Sequence, residues 1–340
     1  MYIHPPVRTT TPTNRNIIGL PWFPAGHLCC SPSSVSLATS VSAAVFYRQG
    51  LRERINLCLF ALAIVDLVVV LAICAVYCEL LYREVIGPSW VIKPYAGCLT
   101  GSVWASHFLS AVIASERCFC VVSPFHAKRL LKTSTMAAII VVGSTLLIGG
   151  MCAIVAPKHI SVCRVDPLTN ITEDIVYVTI FYLKNKAIVD AFDIFVYATA
   201  LPGIFLVVII VATVITSIKL RAALAWRHSS VSKATTVTTT SPEGQGGLKM
   251  SHKEVGVTRM LMATSVLFIV CITPNVILQV TTLVVSDFSY TGRYYNLIDA
   301  SWGIVNCFWM ISSSFTFFVY LKMGSKFRDT VSNMLCNKKG

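Results

Sequence analysis

Seven times along this chain a predominantly apolar stretch runs long enough to cross the roughly 30 Å hydrocarbon core of a bilayer. The stretches cover 32–48, 55–82, 98–122, 134–157, 191–218, 255–285 and 295–321. In lipid, backbone polar groups must be satisfied within the protein, so such segments form helices or a closed barrel. A barrel needs alternation of period two broken by hairpin turns about every ten residues; no such pattern is sustained here. With 55% hydrophobic and only 13% charged residues in a chain of 340, the reading is an all-α membrane protein, a seven-transmembrane helix bundle with a short amphipathic C-terminal helix. The first span is the weakest, because Ser31-Pro32-Ser33-Ser34 and Thr39-Ser40-Val41-Ser42 dilute it.

Charges between the spans set an orientation, since short cytoplasmic loops collect Lys and Arg. Arg48, Arg52 and Arg54 oppose Glu53 after the first span, and Arg117, Lys128, Arg129 and Lys132 oppose Glu116 after the third. The 219–259 stretch and the tail from Lys322 are also strongly basic, whereas the alternate connections balance or turn slightly acidic. An outside N-terminus and a cytoplasmic C-terminus follow, in a multi-pass protein of the plasma membrane. The net charge of +13 then reflects membrane orientation rather than nucleic-acid binding.

Three regions divide the chain: an N-terminal segment at 1–27, the membrane domain at 28–322 and an amphipathic helix with tail at 323–340. Within the second, 229–250 is rich in Ser, Thr and Gly and reads as a flexible third cytoplasmic loop. Residues 1–27 hold no apolar run after a basic start, so the first helices must direct insertion. Most of the 13 cysteines, such as Cys58, Cys74 and Cys271, lie inside apolar spans and read as packing residues. No Cys or His spacing suggests a zinc site. The sequon at Asn170 falls in the second outside loop, where glycosylation is topologically open. Cys336, in the tail helix, is a candidate for palmitoylation at the inner leaflet.

Several motifs occur in order. Leu62-Ala63-Ile64-Val65-Asp66 puts a carboxylate in mid-membrane, where it needs partners or a cation. Glu116-Arg117-Cys118 closes the third span, with Pro124 seven residues after the arginine. Cys271-Ile272-Thr273-Pro274 places a helix-breaking proline inside the sixth. Tyr320 ends the seventh, and Phe327 follows it by seven residues. From about the second span to the tail, the chain resembles the rhodopsin-like (class A) G-protein-coupled receptors. It is a divergent one: Ala38-Thr39 replaces Gly-Asn, the fourth span lacks its tryptophan, Ile210 replaces a tyrosine, and Thr316-Phe317 replaces Asn-Pro.

The resemblance implies roles. Glu116, Arg117, Cys118, Glu254, Pro274 and Tyr320 would form the switch and G-protein-coupling set. Glu254 precedes Pro274 by twenty residues, about 30 Å of helix, which brings it to the level of Arg117 as a latch partner. Asp66 with Ser106, Ser312, Ser313 and Thr316 would hold a sodium ion or a water cluster; no other cofactor and no further metal is implied. A Cys98 to Cys163 disulfide is also implied, although Cys98 lies deeper in its helix than the family's usual cysteine. Partners would be an extracellular ligand, a heterotrimeric G protein and the bilayer, with arrestin and receptor kinases.

Helical spacing sets Thr100 with Trp104, Asn275 with Gln279 and Trp302 with Asn306 on shared faces, as candidate linings of a ligand cleft or as helix-helix contacts. Leu99 stands where aminergic relatives carry an aspartate, and no lysine occurs between Tyr294 and Leu321 to bind retinal. A peptide, a lipid or an environmental chemical remains. The alternatives are a polytopic transporter, which would want midplane charges beyond Asp66, the one deep ionisable group read here, and a non-signalling decoy receptor. No converging catalytic pair points to an enzyme.

Overall fold

The computed structural model describes residues 32–85, 95–123, 126–127, 129, 131–165, 172–234, 252–285, 287–288 and 293–336. Its helices are α1 (Pro32–Gln49), α2 (Arg54–Val85), α3 (Tyr95–Val122), α4 (Thr133–Val155), a three-part α5, α6 (His252–Val284), α7 (Tyr295–Met323) and α8 (Ser325–Cys336). The parts of α5 are Ile180–Asp190, a π-helical run Ala191–Ala200, and Leu201–Ala234. Asn170 and Pro124 lie outside the described residues, as do 1–27 and most of the third-loop segment. The side chains of Glu254, Cys163 and Cys336 lie outside them as well.

Six helices among the described residues are long and apolar enough to cross a membrane. α1 is not one of them, because its hydroxyl residues lower its hydropathy. Those hydroxyls are nevertheless satisfied inside the helix: Thr39 Oγ1 donates to the Val35 carbonyl at 3.0 Å, Ser40 to Ser36 at 2.7 Å and Ser42 to Ala38 at 3.0 Å. Back-bonding of this kind lets a polar sequence pack as a helix. α1 buries Val35, Val45 and Phe46 and lies against α2, α7 and α8.

Three expectations need correction. The region between α4 and α5 is not all loop: β1 (His159–Val165) and β2 (Thr172–Val178) pair antiparallel, from His159 opposite Val178 to Val165 opposite Thr172. The β-branched and aromatic residues Ile160, Val162 and Val165 and the run Ile175-Val176-Tyr177-Val178 suit strands, so a two-stranded hairpin is added to an otherwise helical bundle. Secondly, α5 begins near 180 rather than 191, capped by Thr179, whose Oγ1 accepts from the Tyr182 N–H at 3.1 Å. Lastly, residues 229–234 continue α5 rather than opening the flexible loop.

The π-helical run has a local cause. Pro202 has no N–H to donate, and the turn before it widens so that the Leu201 N–H reaches the Val196 carbonyl. Tyr182 donates to Asp190 at 2.8 Å, and Lys158, beside β1, pairs with Asp193. The hairpin and the head of α5 are thereby tied together.

α3 is the central element and contacts α2, α4, α5 and α6. Its closest crossing is with α4 at Gly101, where a Cβ would stand 2.8 Å from the Ile148 Cα. At the Arg117 end, Arg54 Nη1 on α2 donates to the carbonyls of Ala127 at 3.0 Å and Leu131 at 2.7 Å. Thr133 Oγ1 donates to the Arg52 carbonyl at 3.0 Å. α8 turns its Phe327 inward and leaves Lys326, Arg328 and Asp329 exposed. Phe327 packs between Phe46 and Tyr320 at ring distances of 5.4 and 5.6 Å.

Candidate functional site

Asp66 is 6% exposed and accepts a hydrogen bond from Ser106 Oγ at 2.6 Å. It borders a cavity of about 20 Å³ between α2, α3, α6 and α7, which Ser312 and Ser313 also line. That is room for one species the size of a water. Thr316, expected in this group, turns its hydroxyl back to the Ser312 carbonyl at 2.7 Å and does not line the cavity. Thr39 bonds within α1.

His107 corrects the reading that Asp66 is the one deep ionisable group. It is 3% exposed, lines the same cavity and stacks edgewise on Trp104 at 5.4 Å. Its Nδ1 and the Nε1 of Trp309, another lining residue, have no hydrogen-bond partner in the protein. A buried polar group of this kind ordinarily meets water or an ion. The signal was available in the sequence: an imidazole beside Ser106 in mid-span is costly and therefore informative.

A second small cavity, about 10 Å³, lies nearer the Arg117 end and is bordered by Ser110, Thr264 and Tyr320. Tyr320 is buried and meets Phe46 edge-on at 5.2 Å. Phe268 of α6 lines both cavities, so it stands as an apolar partition between Asp66 and Tyr320. Pro274 lies six residues further along the same helix, inside its continuous run. Thr273 Oγ1 donates to the Ile269 carbonyl at 2.6 Å beside it.

At the end of α3, Arg117 Nε lies 2.6 Å from Glu116 Oε2. The N–H direction leaves both atoms without a hydrogen bond despite that approach. The carboxylate is buried and the guanidinium side chain 18% exposed. Cys120 donates its thiol to Glu116 Oε1 at 3.4 Å, while Cys118 is half-buried against the main apolar core. Only half of the expected latch thus falls on described side chains. Arg54, which sequence reasoning counted merely as a loop charge, is the residue missed here; no local pattern announces its contact with residues more than seventy positions away.

The ligand-cleft candidates separate into two groups. Trp104 packs with Val69, Val103 and Leu147 between α2, α3 and α4. Trp302 packs against Leu278, Phe288 and Ile298, and meets Trp309 at 6.5 Å. Asn275 is fully buried with both amide atoms unpartnered. Thr100, Gln279 and Asn306 are half-buried. Trp309 touches both apolar groups and joins them. The expected Cys98 to Cys163 disulfide is not formed, since Cys98 is a free thiol. Its sulfur faces Cys152 of α4 at 3.3 Å, where α3 and α4 pass close at Gly97.

Residues 38–320 match the family model described as 7 transmembrane receptor (rhodopsin family). No curated protein sequence matches the chain.

Proposed function

Because this chain belongs to the rhodopsin family of seven-transmembrane receptors, we propose that it is a ligand-activated receptor of the plasma membrane. It relays an extracellular signal to a heterotrimeric G protein by outward movement of the inner end of α6. The carrying observation is the Arg117–Glu116 ion pair at 2.6 Å, placed at the end of α3 with the guanidinium side chain 18% exposed. A cation at the rim of the bundle can exchange one charged partner for another without being left buried and unpaired.

In this reading the Arg117 end is cytoplasmic, as the basic loops require. Glu254 completes the resting contact, and ligand binding shifts a pre-existing equilibrium toward a form in which Arg117 is released. Phe268 and Pro274 lie on the moving helix. Displacement of Phe268 would join the Asp66 and Tyr320 cavities and let water pass between them.

The Asp66 cavity fits one small hard cation. One carboxylate with the hydroxyls of Ser106, Ser312 and Ser313 suits sodium, and such an ion would favour the resting packing. The ligand enters between the outer halves of the helices, near Trp104, Asn275, Trp302 and Trp309, and its class is a peptide, a lipid or an environmental chemical. A decoy role has one observation in its favour: Thr39 and Thr316, at two departures from the family pattern, bond within their own helices.

A broad ligand screen with a promiscuous G-protein reporter tests the proposal. At least one ligand class should produce a signal that Arg117→Ala abolishes at equal surface expression. Silence toward every ligand, with no basal activity, would favour the decoy. Ion flux through reconstituted bilayers would favour a transporter.

A further inference from the structure

Small residues let helix backbones approach one another in lipid, and α3 and α4 touch in this way where α3 begins and α4 ends. A Cβ on Gly97 would stand 3.2 Å from the Cys152 Cα, and one on Gly101, a turn further along α3, would stand 2.8 Å from the Ile148 Cα. Gly97 and Gly101 share one face of α3, as Ile148 and Cys152 share one face of α4. The seam brings two thiols together beside it. Cys98, next to Gly97, has its sulfur 3.3 Å from that of Cys152. Both are free, Cys98 exposed and Cys152 half-buried.

A disulfide has its sulfurs roughly 2.0 Å apart, so about 1.3 Å separates this pair from a bond, a gap that side-chain rotation can close. The glycine seam meanwhile holds the two backbones close. Cys98 is the fourth residue of α3, and Cys152 the fourth from the end of α4. Each therefore lies about one turn, roughly 5 Å, from a helix end, a depth that a dissolved oxidant can reach. Cys271, buried in the middle of α6, has no such access. With the orientation proposed above, the Cys98 end faces outside, where disulfides persist.

We propose that Cys98 and Cys152 are an oxidisable pair that closes into a disulfide stapling α3 to α4, by exchange with a small soluble disulfide such as oxidised glutathione. One cysteine thiolate attacks a glutathione sulfur, which forms a mixed disulfide and releases one reduced glutathione. The other attacks the protein sulfur of that mixed disulfide, which forms the Cys98–Cys152 bond and releases the second. The two thiol protons end on the two released glutathiones, and the two electrons lost by the cysteines reduce one glutathione disulfide. The pairing rests on side-chain geometry; only its oxidising surroundings in the cell rest on the proposed orientation.

The test uses the full chain in nanodiscs, where both faces meet the buffer and orientation has no bearing. After treatment with oxidised glutathione and alkylation of the remaining thiols, trypsin places Cys98 on a fragment ending at Arg117, Cys152 on 133–158 and Cys163 on 159–164. Mass spectrometry should find the Cys98 fragment joined to 133–158, and dithiothreitol should part them. Cys98→Ser should lose this species and leave Cys152 carrying glutathione or the alkyl group. The oxidised wild type should melt at least about 2 °C above the reduced form, a gain absent from Cys98→Ser treated alike. The Cys98 fragment joined to 159–164 instead, both thiols unlinked after oxidation, or equal melting of the oxidised and reduced wild type would overturn the proposal.

Discussion

Arg54 joins the foot of α2 to the turn between α3 and α4, and its loss should be felt across that end of the molecule. Arg54→Ala removes two charge-assisted hydrogen bonds to backbone carbonyls and leaves those carbonyls to other partners, a destabilisation of about 1–3 kcal/mol. Thermal unfolding in detergent checks this, with Arg54→Lys keeping part of the loss back because lysine supplies a point charge without the planar fork. An unchanged melting temperature in Arg54→Ala would show that the contact is idle. Asp66 gives a second residue-scale prediction. If the cavity takes sodium, the wild type should melt higher in sodium chloride than in choline chloride at equal ionic strength, and Asp66→Asn should erase the difference. An ion at tenfold its dissociation constant contributes about 1.4 kcal/mol, which corresponds to roughly 2 °C for a chain of this size. Equal melting of the wild type in both salts would leave Asp66 with water alone.

Among the elements, the α3–α4 crossing is the least forgiving. A methyl group at Gly101 meets the backbone of Ile148 at 2.8 Å, and backbone cannot step aside as a flexible side chain can. Gly101→Ala should therefore lower surface expression and thermal stability. Gly149→Ala, on the neighbouring helix with nothing within 4 Å, should be neutral or stabilise by up to about 1 kcal/mol. Comparison of the pair by fluorescence-detected size exclusion separates close packing from a general effect of removing glycine. The same helices show what a sequence can reveal. Spans are legible because lipid demands long apolar runs, so the ends of α2, α3, α4, α6 and α7 fall within a few residues of the apolar windows. The head of α5 is not, because Lys184, Asn185 and Lys186 interrupt its hydrophobicity. The β-hairpin is hidden because neither strand alternates cleanly: Cys163-Arg164 interrupts the first, and Ile175-Val176-Tyr177-Val178 is a continuous apolar run. Asp66 and Arg117 announce themselves as charges in apolar surroundings. His107 was legible in the same way, as an imidazole in mid-span, although its cavity shared with Asp66 was not; Arg54 needed three dimensions, because it acts through carbonyls on a distant segment.

At the scale of the whole molecule, two water-sized cavities lie between the helices, with Phe268 between them and Arg117 beyond at the end of α3. The helix that carries Phe268 also carries Pro274 and Glu254, so one rigid swing would move the partition and the latch partner together. The proposed function requires Arg117 to act as a cation whose release licenses G-protein contact. Its most direct test is nucleotide exchange on purified heterotrimeric G proteins catalysed by the receptor in nanodiscs without ligand. Glu254→Ala should exceed the wild type several-fold, and adding Arg117→Ala should remove the gain. Equal exchange by the wild type and Glu254→Ala, or a gain that survives Arg117→Ala, in protein of matched thermal stability would contradict it.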